Sequence, residues 1–300
     1  VHYPYGCLEQ TLSTFVPLAK VKELAEVAGL EGLNGPKLDA FIAAGVARMS
    51  LFQRGSGHFA LWPTGTAEPK YTVYALEGLL EAKRAGIAIP EPMRQSALQA
   101  LTDWSTAQPD LAANADRTTV AVAAYVMAAM DQPNQVLNGR LYEARGGLSL
   151  FAQTYLLRAL ALSNAAPEQI EALTTALIAK AEVKGDTARL PEPPAFDNDW
   201  WPSADHVRTT AAGLTALLTV RPTHPLVPQL AAALVAAQDK DGTWSNTQDN
   251  SHAVSALALY ARRQVEGKTK VKLSLGGQVL AERTLVGNEA LHLKLPLAKL

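Results

Sequence analysis

Two kinds of helical segment alternate along most of this chain, and that alternation limits the folds open to it. The first kind carries small apolar residues on several faces. Six such segments run over about Gln10–Ala28, Lys70–Ala85, up to about Met130, Ser149–Leu162, Asp205–Val220 and Asn250–Arg263. Each follows a turn rich in Gly, Asp, Asn, Pro or Trp. The second kind keeps its charges on one side: about Pro36–Phe52, Glu91–Thr106, Gln135–Glu143, Pro167–Glu182 and Pro225–Gln238. A helix apolar all round is expected inside, and a one-sided helix is expected at the surface. The expected fold is therefore mainly α: an inner ring and an outer ring, a six-plus-six α/α toroid. The spacing is too uneven for an open solenoid of equal repeats.

After residue 266 the period changes from helical to two. Val271–Leu275 alternates, Gly276-Gly277 makes a tight turn, and Gln278–Leu285 continues as strand. A third alternating stretch follows at Ala290–Leu295. Residues 1–266 are thus read as the toroid domain and 267–300 as a β segment too short to stand alone.

Composition narrows the function. The net charge of −1 offers no footprint for nucleic acid. No apolar run reaches the length needed to span a bilayer as a helix. No His/Cys cluster has zinc spacing and no phosphate-binding glycine loop follows a strand, so neither a metal nor a cofactor is expected. The chain opens on Val1 rather than Met, as a piece of a longer protein would.

The chemistry concentrates near the start, in Tyr3-Pro4-Tyr5-Gly6-Cys7-Leu8-Glu9-Gln10. Cys7 is the single cysteine, and a lone cysteine is usually a small buried hydrophobe. Here it follows Gly6 and opens a helix, with Gln10 three positions on. Residues i and i+3 of a helix face each other with Cβ atoms about 5–6 Å apart. If the Cys7 thiol displaces ammonia from the Gln10 amide, the product is an internal thioester.

These residues resemble the GCxEQ motif of the alpha-2-macroglobulin and complement superfamily, and the flanking Tyr-Pro-Tyr and Thr11-Leu12-Ser13 resemble its bacterial alpha-2-macroglobulins in particular. Asp241-Gly242-Thr243-Trp244-Ser245-Asn246-Thr247-Gln248-Asp249 resembles the turn before the last inner helix of their thioester domains, and Gly55–Pro63 the earlier Gly–aromatic turn. The resemblance covers about residues 1–265. We read these turns as structural, with glycine setting the backbone and the aromatic plugging the ring.

The resemblance implies a protease inhibitor that holds its targets covalently: a lysine amine of a trapped protease takes the acyl group of Gln10 and frees the Cys7 thiol. Each bond is used once, so the protein is not a turnover catalyst. It further implies partner domains in a parent chain, a periplasmic location with an inner-membrane anchor, and a CUB-like β-sandwich around residues 267–300. Gly6, Glu9, Tyr3 and Tyr5 are the supporting candidates. The tyrosines are either a cover against water or ordinary packing, and Glu9 either assists proton transfer or is a plain helix-start carboxylate.

Some complement proteins carry a histidine that accepts the acyl group. The matching stretch, Asn114–Val122, holds none, which implies direct attack by amines. His2 and His58 are the two that folding would have to bring to Cys7. Two other readings remain at this point. One is a glycan- or isoprenoid-processing toroid enzyme, for which Asp197-Asn198-Asp199 is a weak acid motif and 6% aromatics are few. The other is a non-reactive interaction module in which Cys7 stays a thiol.

Overall fold

The computed structural model describes residues 6–28, 35–107, 117–192, 205–265, 268–275 and 278–286. Within them the inner helices are α1 (Leu8–Ala28), α3 (Pro69–Arg84), α5 (Arg117–Ala129), α7 (Leu150–Leu162), α9 (His206–Val220) and α11 (Thr247–Val265). The outer helices are α2 (Pro36–Arg48), α4 (Glu91–Thr106), α6 (Gln135–Glu143), α8 (Pro167–Ile178) and α10 (Leu226–Ala236). Each inner helix packs on the next, and α11 packs back on α1. The inner ring is therefore closed. Each outer helix touches the two inner helices it connects, which makes the second layer of the toroid.

Composition explains the two layers. Helix α5 buries every residue from Thr119 to Ala128, and α7 every residue from Phe151 to Leu160 except Gln153. Small Ala side chains let such helices approach on all sides. Helix α10 buries only the stripe Leu226, Val227, Leu230, Ala231 and Leu234. Gly78 marks the tightest inner contact: a Cβ there would lie 2.2 Å from Leu12 Cδ2, so α1 and α3 meet where a side chain is missing.

The helix starts follow two local rules. Proline occupies the first turn of α2, α3, α4 and α8, where its missing N–H costs no hydrogen bond. Side chains cap three others: Asn134 accepts from Leu137 N, Ser149 from Ala152 N, and Asp205 from Val207 N and Arg208 N. Asp131 and Asn164, just beyond α5 and α7, take left-handed backbone conformations and end those helices.

One expectation needs correcting. Helix α8 stops at Ile178 rather than running on to Glu182. A hairpin follows, β1 (Glu182–Lys184) with β2 (Thr187–Arg189), turning at Gly185 with φ 61°. Only a residue without a Cβ takes that φ cheaply, so the glycine ends helical continuation. Strand β2 packs on α10 and places Leu190 against Gly213.

The late β segment is present as β3 (Lys268–Leu275) paired antiparallel with β4 (Gln278–Val286), with a register shift between Leu273 and Ser274. The third expected strand, 290–295, lies outside the described residues, as do Gly276-Gly277 and Asp197-Asn198-Asp199.

Candidate functional site

Helix α1 begins at Leu8, which makes Cys7 the residue that opens it and Gln10 the third residue inside. The first N–H groups of a helix lack carbonyl partners. In a capping box, a side chain before the helix and one three residues later satisfy them reciprocally. Cys7 and Gln10 adopt that arrangement. Cys7 N–H donates to Gln10 Oε1 at 3.1 Å, and Gln10 N–H donates to Cys7 Sγ at 3.5 Å. Helix-start geometry thus brings the sulfur and the side-chain carbonyl to one place. It also aims a backbone N–H at the oxygen that would become negative when that carbonyl is attacked.

Gly6 makes the arrangement possible. A Cβ on it would fall 2.3 Å from Gln10 Oε1 and 2.9 Å from Gln10 Cβ, so the glutamine folds back over bare backbone. Arg48, the last residue of α2, fixes the same corner. It donates from one NH2 group to Gly6 O at 2.9 Å and from Nε to Thr11 Oγ1 at 3.2 Å, above the Phe52 ring. Leu8 N–H donates to Leu61 O at 2.8 Å, pinning the helix start to the Gly–aromatic turn. Cys7 is buried while Gln10 is exposed. The sulfur is therefore screened and the acyl carbon lies on the outer side.

Glu9 is half-buried on the inward side. Burial raises its carboxyl above the usual range, and a hydrogen bond from Gln248 opposes that. Gln248 sits in the first turn of α11, where its Nε2 also donates to Tyr74 OH at 2.8 Å. Tyr74 is partly buried and its hydroxyl is held well above its ordinary value, by burial first and then by nearby Glu9, Glu77 and Cys7. Tyr3 and Tyr5 lie outside the described residues, as does His2.

The histidines separate. His58 uses Nδ1 on Thr72 Oγ1 at 2.9 Å, and burial lowers its pKa. His252 is deep in the ring. Its Nδ1 lies 2.9 Å from Gln248 O, and a carbonyl only accepts, so Nδ1 carries the proton. Burial holds His252 down to about 4, with Arg208 and Arg158 acting in the same direction. It is neutral at neutral pH. The described part of the stretch matched to the acyl-accepting histidine, residues 117–122, is the start of α5 and is buried from Thr119 on.

All six inner helices line an axial cavity of about 400 Å³. Tyr74 and Gln248 stand near its Cys7 end, and Glu23, Arg84 and Arg262 at the other. Its carboxylates are engaged. Glu81 pairs with Lys20 and, at 2.8 Å, with Arg84, and Glu23 pairs with Arg262 at 2.6 Å. Tyr155 OH donates to Glu77 Oε1 at 2.8 Å, and burial pushes Glu77 up to about 7. Arg158 hydrogen-bonds Tyr125 OH and stacks 3.7 Å from the Tyr125 ring centroid.

The turn before α11 is mostly structural, as its composition suggests. Trp244 is buried and donates from Nε1 to Leu234 O at 3.0 Å. Asp249 meets Arg208 Nε at 2.8 Å. Gln248 departs from that reading, because its side chain reaches Tyr74 of α3. The sequence signal was its place in Asn246-Thr247-Gln248-Asp249. Arg48, Tyr74 and His252 gave no comparable signal.

Comparison with known proteins bears on the whole ring. The family profile described as the A-macroglobulin TED domain matches residues 1–260. The alpha-2-macroglobulin of Escherichia coli (strain K12) is 37% identical over 90 residues, 29% of this chain and 5% of that protein. An alpha-2-macroglobulin homolog of Nostoc is 24% identical over 264 residues, 85% of this chain and 14% of that protein. Among solved structures, Salmonella alpha-2-macroglobulin reacted with methylamine superposes with a TM-score of 0.67 at 25% identity, over 95% of this chain and 18% of that one. Native E. coli alpha-2-macroglobulin, from domain MG7 to its C-terminus, gives 0.65 at 24% identity, over 95% of this chain and 44% of that one. The chain spans less than half the length of each of these relatives.

Proposed function

The chain belongs to the A-macroglobulin TED domain family, matched over residues 1–260, and from that premise we propose that Cys7 and Gln10 form an internal thioester that captures proteases. The observation that carries the reading is the reciprocal cap, which sets Gln10 Oε1 on Cys7 N–H and Cys7 Sγ on Gln10 N–H. Loss of ammonia from Gln10 joins its Cδ to Sγ. A lysine amine of a bound protease then attacks Cδ, the C–S bond breaks, and an amide and a free Cys7 thiol remain. A thiolate is a good leaving group because a thiol is far more acidic than an alcohol. The Cys7 N–H, at the positive end of α1, stabilises the oxyanion of the intermediate. The solved Salmonella relative reacted with methylamine supports amines as the nucleophile class.

Each chain reacts once, which makes the domain a single-use trap rather than a turnover catalyst. Residues 1–266 form the reactive domain, and 267–300 belong to a neighbouring CUB-like β-sandwich. The parent protein works in the periplasm from an inner-membrane anchor, with its other domains shielding Cys7 and Gln10 until a protease is engaged. An enzymatic toroid is less well supported, because the axial carboxylates are tied to Lys20, Arg84, Arg262 and Tyr155.

The test is the intact mass of fresh protein with and without methylamine, beside a thiol assay. The expected protein is one ammonia lighter than its sequence and releases a thiol only on amine treatment. Full mass with a free thiol from the start, in the full-length protein, refutes the thioester.

A further inference from the structure

The reactive corner borrows a charge from another helix. Arg48 ends α2, and its guanidinium lies 5.6 Å from the centroid of the buried Phe52 ring. Among the described residues it makes no ion pair. Its donors go to two neutral acceptors, Gly6 O at 2.9 Å and Thr11 Oγ1 at 3.2 Å. Thr11 passes the second contact on, since its hydroxyl donates to Cys7 O at 3.0 Å. The peptide groups on both sides of Cys7 are therefore tied to one side chain of α2.

A planar trans peptide points its C=O and its N–H in opposite directions. The Gly6–Cys7 peptide has its C=O on Arg48 and its N–H on Gln10 Oε1 at 3.1 Å. Holding one end aims the other. A lock is needed here because the preceding residue is glycine. Gly6 leaves room for the folded-back glutamine, and the same missing side chain lets its backbone turn freely. A turned peptide would present a carbonyl to Gln10 Oε1, oxygen against oxygen. The charge adds to the aim: a C=O bonded to a cation polarises its own peptide and makes the N–H a stronger donor.

We propose that Arg48 is a positioning residue for closing and opening the thioester: through the Gly6–Cys7 peptide it aims the Cys7 N–H at the Gln10 carbonyl oxygen, where charge develops. The inference rests on the thioester reading above. On closing, Cys7 Sγ bonds to Gln10 Cδ and a carbonyl electron pair moves onto Oε1, where the N–H receives it. The thiol proton passes to the amide nitrogen. The pair returns from Oε1, the Cδ–N bond breaks, and ammonia leaves. Opening by ammonia runs the same path backwards, so both directions cross the same oxyanion. A merely structural Arg48 predicts the opposite sign. If it only packed the corner, its loss would loosen the screen over the bond and speed attack. If it aims the N–H, its loss slows attack.

The test measures opening of the thioester in the full-length protein by ammonia and by methylamine. Intact mass gives the fraction closed at the start and the rate of opening, and urea denaturation checks the fold. Arg48→Met keeps an apolar stem over Phe52 and loses every donor. It should carry the ammonia deficit in a smaller fraction of fresh protein and open about tenfold more slowly with both amines. Deleting an oxyanion donor outright typically costs about 10²–10³-fold, whereas here the N–H stays and only its aim is lost. Arg48→Lys, which can still donate to Gly6 O, should fall between Arg48→Met and the wild type. A deficit missing from Arg48→Met and retained by Arg48→Lys supports the role through the closing step. A rate at or above the wild type in either variant overturns the role of Arg48 and leaves the thioester standing, as does an Arg48→Lys protein that behaves no better than Arg48→Met. Absence of the deficit in the wild type overturns both.

Discussion

At Gly6 a single missing side chain decides whether two others meet. Alanine there would push a Cβ into Gln10 Oε1 and Gln10 Cβ. Gln10 is exposed, so it swings outward at little cost to the fold. We expect Gly6→Ala to change stability by less than about 1 kcal/mol, yet to leave most of the fresh protein without its ammonia deficit. Urea denaturation and intact mass check the two halves separately. The spacing of Cys7 and Gln10 was legible in the sequence, because a three-residue offset at a helix start is a local geometric fact. Glu9 was legible as a candidate and not as a role. Arg48 and Gln248 were not legible as site residues. Their contacts span 42 residues for Arg48 with Gly6 and 174 for Gln248 with Tyr74, and no periodicity encodes which residues of a closed ring will touch.

Helix starts decide how the inner ring is joined. Asp205 caps α9 through Val207 and Arg208, and Arg208 reaches across to Asp249 in the first turn of α11. Burial first, and then Asp205, pushes Asp249 up to about 6. Replacing Asp205 by Ala should therefore cost about 1 kcal/mol in urea denaturation through the lost cap, while lowering the Asp249 pKa. A titration of the Asp249 carboxyl by NMR that moves upward instead would refute the coupling. The helices were legible nearly to their ends because composition differs between layers: Ala and Leu on all sides inside, a single stripe outside. The hairpin at 182–189 was missed. Lys180 and Glu182 extend a helical pattern on paper, and only Gly185, in a left-handed conformation, breaks it. The β3–β4 pair was legible from the alternation at Val271–Leu275 and the Gly276-Gly277 turn after it.

For the molecule as a whole, the axial cavity sets a pH dependence. Glu77 holds its proton up to about 7 when folded, above its ordinary value of 4.5. The folded state therefore binds more protons than the unfolded one between those values. Stability from this group is complete below about 4.5, falls as pH rises, and is gone above about 7. His252 acts in the opposite sense. Its pKa falls from 6.5 to about 4 on folding, so its contribution is present above 6.5 and is lost as pH drops through 4. Glu77→Gln should remove the first effect and reduce the stability loss between pH 5 and 8 by on the order of 2 kcal/mol, measured by urea denaturation at both. The closed ring itself was legible as six apolar helices. Its seam was not: α11 packs on α1, and the Cys7–Gln10 corner lies at the start of α1. Synthesis runs from Cys7 toward Gln248, and at about 5–20 residues per second roughly 240 residues take on the order of 10–50 s. Throughout that interval the emerging chain carries the first inner helix without the last one, on which it packs. Ring closure is thus a late event of synthesis: the first inner helix waits for the last, and a chain cut short before Thr247 lacks the partner that completes the ring.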